Sequence, residues 1–138
     1  MKRVFADAHY WIAVGRPGDS YADAAKKARA SIGSAVIVTT DEALTEFLNA
    51  VSKGGPKIRQ VAAKMVIAIL NQSPSVKVIP QTRQGFADGV RRYAIREDKE
   101  YSLPDCIAMN VMDKEGIREV LTHDHHFKQD GFSTLIEK

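Results

Sequence analysis

A three-layer α/β/α protein built on a mainly parallel five-stranded sheet is the fold class predicted for this sequence. Three observations predict it. Short apolar runs alternate with longer helical patterns along the 138 residues. The segments between successive runs are too long for hairpins, so neighbouring strands run parallel and the sheet is covered on both faces. Acidic residues stand just past the ends of the runs.

Arg3–Ala6, Ala35–Val38, Val76–Ile79, Arg118–Leu121 and Thr134–Ile136 read as strands, each bounded by turn or cap residues. Between them, Tyr21–Ile32, Glu42–Val51, Ile58–Leu70, Arg83–Arg96 and Leu103–Lys114 read as helices. Ile58, Val61, Met65 and Ile69 trace one helix face. Gly54-Gly55-Pro56 separates two successive helices and makes them a helical hairpin between the second and third strands. Ser102-Leu103-Pro104-Asp105 reads as a capping box with Pro in the first turn.

The composition bounds the function. The length suits one domain, residues 1–138, with a core of its own. A hydrophobic fraction of 44% and a charged fraction of 27% are ordinary for a soluble protein. A net charge of +3 permits a nucleic acid as partner without arguing for one. The lone Cys106 cannot form an internal disulfide, which suits a reducing compartment. No apolar run is long enough to span a membrane. The opening Met1-Lys2-Arg3-Val4-Phe5-Ala6-Asp7 meets a carboxylate too early for a signal peptide, so a cytoplasmic location is expected.

In an open parallel sheet, ligands sit beyond the C-terminal strand ends. Asp7 follows the first strand and Asp124 the fourth. Glu46 lies on the helix after the second strand, and Asp105 opens the helix leading into the fourth. Each has an ordinary explanation: Asp7 and Asp124 occupy helix N-cap positions, Asp105 a capping box, and Glu46 a helix surface. Asp105, however, shares its helix face with Ala108, Met109 and Met112 at offsets of three, four and seven, and so points inward. A buried, unpaired carboxylate requires cations, hydrogen bonds or a metal. Glu46 borders the stripe of Ala43, Phe47, Ala50 and Val51, where both readings stay open.

If the four acids converge, two of them about 4 Å apart repel by about 4 kcal/mol at an effective dielectric of about 20. A divalent cation relieves that repulsion, and carboxylate ligands select Mg²⁺ or Mn²⁺. Such a site admits a phosphodiester and activates water against it. His9, His123, His125 and His126 lie near these acids in sequence. With one cysteine and adjacent imidazoles pointing different ways, a zinc site is disfavoured. The histidines are read as partly exposed loop residues, with no ligand role.

These motifs resemble those of PIN domains. Val4-Phe5-Ala6-Asp7-Ala8-His9-Tyr10-Trp11-Ile12-Ala13 resembles the family's opening strand, Asp and Trp-Ile-Ala helix. Thr39-Thr40 with Leu44-Thr45-Glu46 resembles the second acidic motif, and Tyr101-Ser102-Leu103-Pro104-Asp105-Cys106 the third. Gly116-Ile117 through Leu121-Thr122-His123-Asp124-His125-His126-Phe127 to Gly131-Phe132 resembles the fourth. The chain departs from the pattern at His9, where Ser or Thr is common, and at His125, where Arg is common. The resemblance implies that Asp7, Glu46, Asp105 and Asp124 are the catalytic and metal-holding residues of an Mg²⁺- or Mn²⁺-dependent ribonuclease. Members of this size are often VapC-like toxins of toxin–antitoxin systems. It therefore also implies an RNA substrate, a cognate antitoxin and a homodimer. An antitoxin is expected to dock along the apolar hairpin around Gly54-Gly55-Pro56, with a basic residue near Asp7 and Asp105.

The alternatives are a housekeeping RNA-processing nuclease of the same family and a non-catalytic nucleic-acid-binding module. A phosphotransfer enzyme would want a second Asp where His9 stands. A receiver domain would want an Asp after Val78-Ile79-Pro80-Gln81.

Overall fold

The computed structural model describes residues 1–72 and 74–138. Five strands, β1 (Arg3–Ala6), β2 (Val36–Thr40), β3 (Val76–Ile79), β4 (Glu119–Leu121) and β5 (Ser133–Thr134), form one sheet in the order β3-β2-β1-β4-β5. Every neighbouring pair is parallel, with Phe5 opposite Val38 on one side and Val120 on the other. The side chains alternate along the strands, as a pleat requires. Val4, Ala6, Ile37 and Leu121 enter one core, while Phe5, Val38 and Val120 enter a second.

The first core is closed by α1 (Ala8–Gly15), α2 (Ala22–Ser31), α3 (Asp41–Ala50) and α4 (Pro56–Leu70), through Trp11, Ala25, Phe47 and Ile69. The second is closed by α6 (Leu103–Glu115) and α7 (His125–Gln129), through Met109, Met112 and Phe127. α5 (Arg83–Ile95) packs on the outside of α6. A Cβ added at Gly89 of α5 would stand 2.5 Å from Ile107 Cγ1, so the missing side chain lets the two helices meet. The result is the predicted three-layer sandwich. The α3–α4 hairpin turns at Gly55, whose φ of 98° suits glycine. No helix among the described residues is long and apolar enough to cross a membrane.

Three elements differ from expectation. β2 continues past Val38 to Thr40 because both threonine hydroxyls find partners inside. Thr39 Oγ1 donates to the Ala6 carbonyl at 2.7 Å and accepts from Trp11 Nε1 at 3.0 Å; Thr40 Oγ1 caps α3 by accepting from Ala43 N–H at 3.0 Å. β5 is displaced to Ser133–Thr134, although Leu135 and Ile136 N–H still donate to the Val120 and Thr122 carbonyls. α7, only 5 residues long, carries too little periodicity to read in sequence. It places His125 and His126 on a helix rather than in a loop.

This topology locates the site. From β1 the chain builds outward through β2 and β3, then returns to add β4 on the other side of β1. The strand order therefore reverses at β1, and the crevice beyond the ends of β1 and β4 is where such sheets bind ligands. Asp7 and Asp124 stand at those two ends.

Candidate metal centre

Asp7 leaves β1 as the N-cap of α1 and is only 2% exposed. Its capping contact with His9 N–H is long, 3.5 Å. The carboxylate is held instead by two side chains: Oδ2 lies 2.8 Å from His9 Nδ1 and accepts from Thr122 Oγ1 at 2.9 Å. Capping alone does not account for this residue.

Asp105 is buried, as the Ala108–Met109–Met112 face predicted. The capping box is present as well: Asp105 N–H donates to Ser102 Oγ at 3.2 Å, and Asp105 Oδ2 accepts from Ser102 N–H at 3.3 Å. The box occupies one oxygen and fixes the carboxylate at the sheet's edge. Asp124 caps α7 by accepting from His126 N–H at 3.0 Å, and its own N–H donates to Thr122 Oγ1 at 3.1 Å. Glu46, half-buried on α3, completes the set.

The four acids converge through Asp7 in two triads rather than one quartet. Ligand atoms of Asp7, Glu46 and Asp105 lie within 4.8 Å of one another, and so do those of Asp7, His9 and Asp124. The structure thus brings all four predicted residues to one crevice, adds Thr122, which spacing did not single out, and corrects the reading of His9, whose ring nitrogen joins Asp7 and Asp124 in a possible ligand set. Thr122 lies two residues before Asp124 at the end of β4, and that position was the available signal.

The electrostatics are those of crowded like charges. Burial, reinforced by Asp7 and Asp105, pushes the Glu46 carboxyl up to about 8. Burial, reinforced by Asp7 and Asp124, pushes Asp105 up to about 6. The hydrogen bond with Asp7 raises the His9 imidazole. Among the described residues, the ion-pair partners of Asp7, Asp105 and Asp124 are histidines, not Lys or Arg. His126 Nδ1 is buried without a hydrogen-bond partner, 3.4 Å from both Asp105 Oδ2 and Asp124 Oδ1. Carboxylates this crowded, beside an orphaned imidazole nitrogen, fit a divalent cation in donor type and in charge.

The expectation that adjacent imidazoles point apart fails at His125 and His126, whose ring nitrogens lie within 4.8 Å of each other and of an Asp124 oxygen. His123 stacks on Tyr21 with ring centroids 3.7 Å apart, and His125 is largely exposed. A separate groove, lined by Ile79, Arg92, Ile95 and Ile107 among others, contains none of the four acids.

The five-stranded parallel sheet and the helices packed on it match a VapC PIN-like α/β fold. Two curated relatives carry the likeness at the level of sequence. They are the 23S rRNA-specific endonuclease VapC20 of Mycobacterium tuberculosis strain CDC 1551 / Oshkosh and of strain ATCC 25618 / H37Rv. Each is 29% identical over 130 residues, covering 94% of this chain and 95% of the relative. The crystal structure of M. tuberculosis VapC20, described as a Sarcin-Ricin loop cleaving toxin, superimposes with a TM-score of 0.83 at 26% identity. That match covers 97% of this chain and 99% of the other. No protein-family model matches the chain.

Proposed function

We propose that this chain is a metal-dependent endoribonuclease and the toxin of a toxin–antitoxin pair, with Asp7, Glu46, Asp105 and Asp124 holding Mg²⁺ or Mn²⁺. The observation that carries the reading is the crowding of Asp7, Glu46 and Asp105 within 4.8 Å. Among the described residues, no Lys or Arg pairs with any of the three. Likeness to VapC20 supports RNA as substrate, with ribosomal RNA the first class to try, and hence action in the cytoplasm.

When bound, a divalent cation supplies charge neutralisation and Lewis acidity at the scissile phosphate. The chain's own residues supply placement. Thr122 and His9 both hold Asp7 through Oδ2. The Ser102 box holds Asp105, and the α7 cap holds Asp124. Trp11 and Thr39 brace the end of β1 through the Ala6 carbonyl. An antitoxin, with an arginine reaching the acids, is the partner this reading requires. The exposed Val61, Ile67 and Leu70 on α4 support docking along the hairpin. A homodimer belongs to the same reading.

Induced expression of wild type should arrest growth with loss of RNA integrity, and Asp7→Ala should do neither. Purified wild type should cleave RNA with Mg²⁺ or Mn²⁺ and stop on chelation. Asp105→Asn should be inactive yet folded. A purified Asp105→Asn protein cleaving at the wild-type rate would overturn the assignment.

A further inference from the structure

We propose that His9 completes, with Asp7 and Asp124, a second cation position beside the all-carboxylate one, and that this position favours a transition ion such as Mn²⁺ over Mg²⁺. The inference rests on the metal-dependent reading above and specifies its chemistry. The two triads share Asp7. The first triad offers oxygen only. The second offers two oxygens and an imidazole nitrogen.

His9 is placed as a ligand would be. Its Nδ1 lies 2.8 Å from Asp7 Oδ2. Two ligands at right angles on an octahedral ion, each bonded at about 2.1 Å, stand about 3.0 Å apart. The observed separation therefore suits a cation shared by both atoms as well as the proton shared between them. The ring is oriented by its neighbours: its edge meets His123, with centroids 4.6 Å apart and planes at 65°, while His123 is itself stacked on Tyr21. The side chain keeps 38% of its surface exposed, so an ion can reach it from the crevice.

The selectivity follows from donor type. Mg²⁺ prefers oxygen ligands and gives up water reluctantly, so a nitrogen donor adds little to its binding. Imidazole raises affinity for first-row transition ions, and Mn²⁺ accepts mixed oxygen and nitrogen sets. The residue that breaks the family's usual pattern at position 9 is thus the one that changes the preferred metal.

Mn²⁺ and Mg²⁺ binding to the whole protein is measured by calorimetry, and pulsed EPR of the Mn²⁺ form reads the ¹⁴N coupling of a bound imidazole. Wild type should show the nitrogen coupling. His9→Ser and His9→Asn should lose it, with the Mn²⁺-over-Mg²⁺ preference falling roughly tenfold. His125→Asn and His126→Asn, which alter the two imidazoles grouped with Asp124, should keep it. Mn²⁺ bound without nitrogen coupling, or coupling that survives both His9 variants, overturns this inference and leaves the nuclease reading standing. A wild type that binds neither ion overturns both.

Discussion

Thr122 donates its hydroxyl to Asp7 across 115 residues of sequence, Oγ1 to Oδ2 at 2.9 Å, inside a fully buried stretch at the end of β4. The same oxygen accepts the Asp124 N–H at 3.1 Å, so one hydroxyl ties together the acids that end β1 and β4. Two residues after Asp7 the chain carries an imidazole, His9, and no hydroxyl. Thr122 supplies a hydroxyl from another strand.

Thr122→Val keeps the shape and removes both bonds. The variant should lose about 1–3 kcal/mol of stability, because the buried Asp7 carboxylate and the part-buried Asp124 N–H each lose a partner. Its affinity for Mn²⁺ should fall roughly 10- to 100-fold, as for other groups that orient a ligand. Thr122→Ser should recover most of both. Chemical denaturation and calorimetry read the two quantities, and a Val variant equal to wild type in each would remove this role.

The pH dependence of the metal-free protein has a definite sign. Glu46 titrates near 4.5 when unfolded and at about 8 when folded. Between those values the folded state holds more protons, so stability falls as pH rises. Asp105, raised from 3.8 to about 6, acts the same way over a lower window. His9, also raised, contributes stability below about 6.5 that is lost as pH passes its folded value. His123, lowered by burial, acts in the opposite sense just below about 6.5, and Glu115, lowered by its hydrogen bond from Lys77, does so only near and below 4.5. In chelator, Tm should therefore decline from pH 5 towards 8, and Glu46→Gln should flatten the decline. Mn²⁺ at about 100 times its Kd should add about 2.7 kcal/mol. A Tm that climbs through this range without metal would contradict the crowded-carboxylate account.

Gly89→Ala tests the seam that carries Asp105. The added Cβ meets Ile107 Cγ1 at 2.5 Å and Leu103 Cδ1 at 3.2 Å, and these two residues flank Asp105 on α6. Overpacking costs about 1–3 kcal/mol, against about 1 kcal/mol gained from replacing a helical glycine. Net destabilisation with weakened metal binding is expected. Ile107→Ala, which removes the clashing Cγ1, should cost less beside Gly89→Ala than in the wild-type chain, a coupling that a double-mutant cycle measures. Additive effects would mean that α6 absorbs the Cβ without moving its N-terminus.

The layering was legible because period and length are local. The alternation at Val4-Phe5-Ala6 sends neighbouring side chains into opposite cores, and the long crossovers leave only parallel pairing. Asp105 was legible for the same reason, since one helix face carries both the carboxylate and its buried neighbours. α7 was not, because 5 residues hold little more than one turn. The end of β2 was misplaced because Thr39 and Thr40 look polar in sequence, and only their partners make them interior residues.

By itself, then, the sequence determined an α/β/α sandwich and marked Asp7 and Asp124 at strand ends and Asp105 on an inward helix face, while Glu46 stayed open, since pattern, caps and spacing act over a few residues. Tertiary structure alone decided how those acids divide. Asp7 stands in both triads, Thr122 joins it to Asp124, and His9 replaces the expected hydroxyl with a nitrogen. Those relationships depend on β4 returning to the far side of β1, which brings together groups more than a hundred residues apart. Distance across a folded sheet is not encoded in local periodicity, so the chemistry of the crevice appears only once the strands are in order.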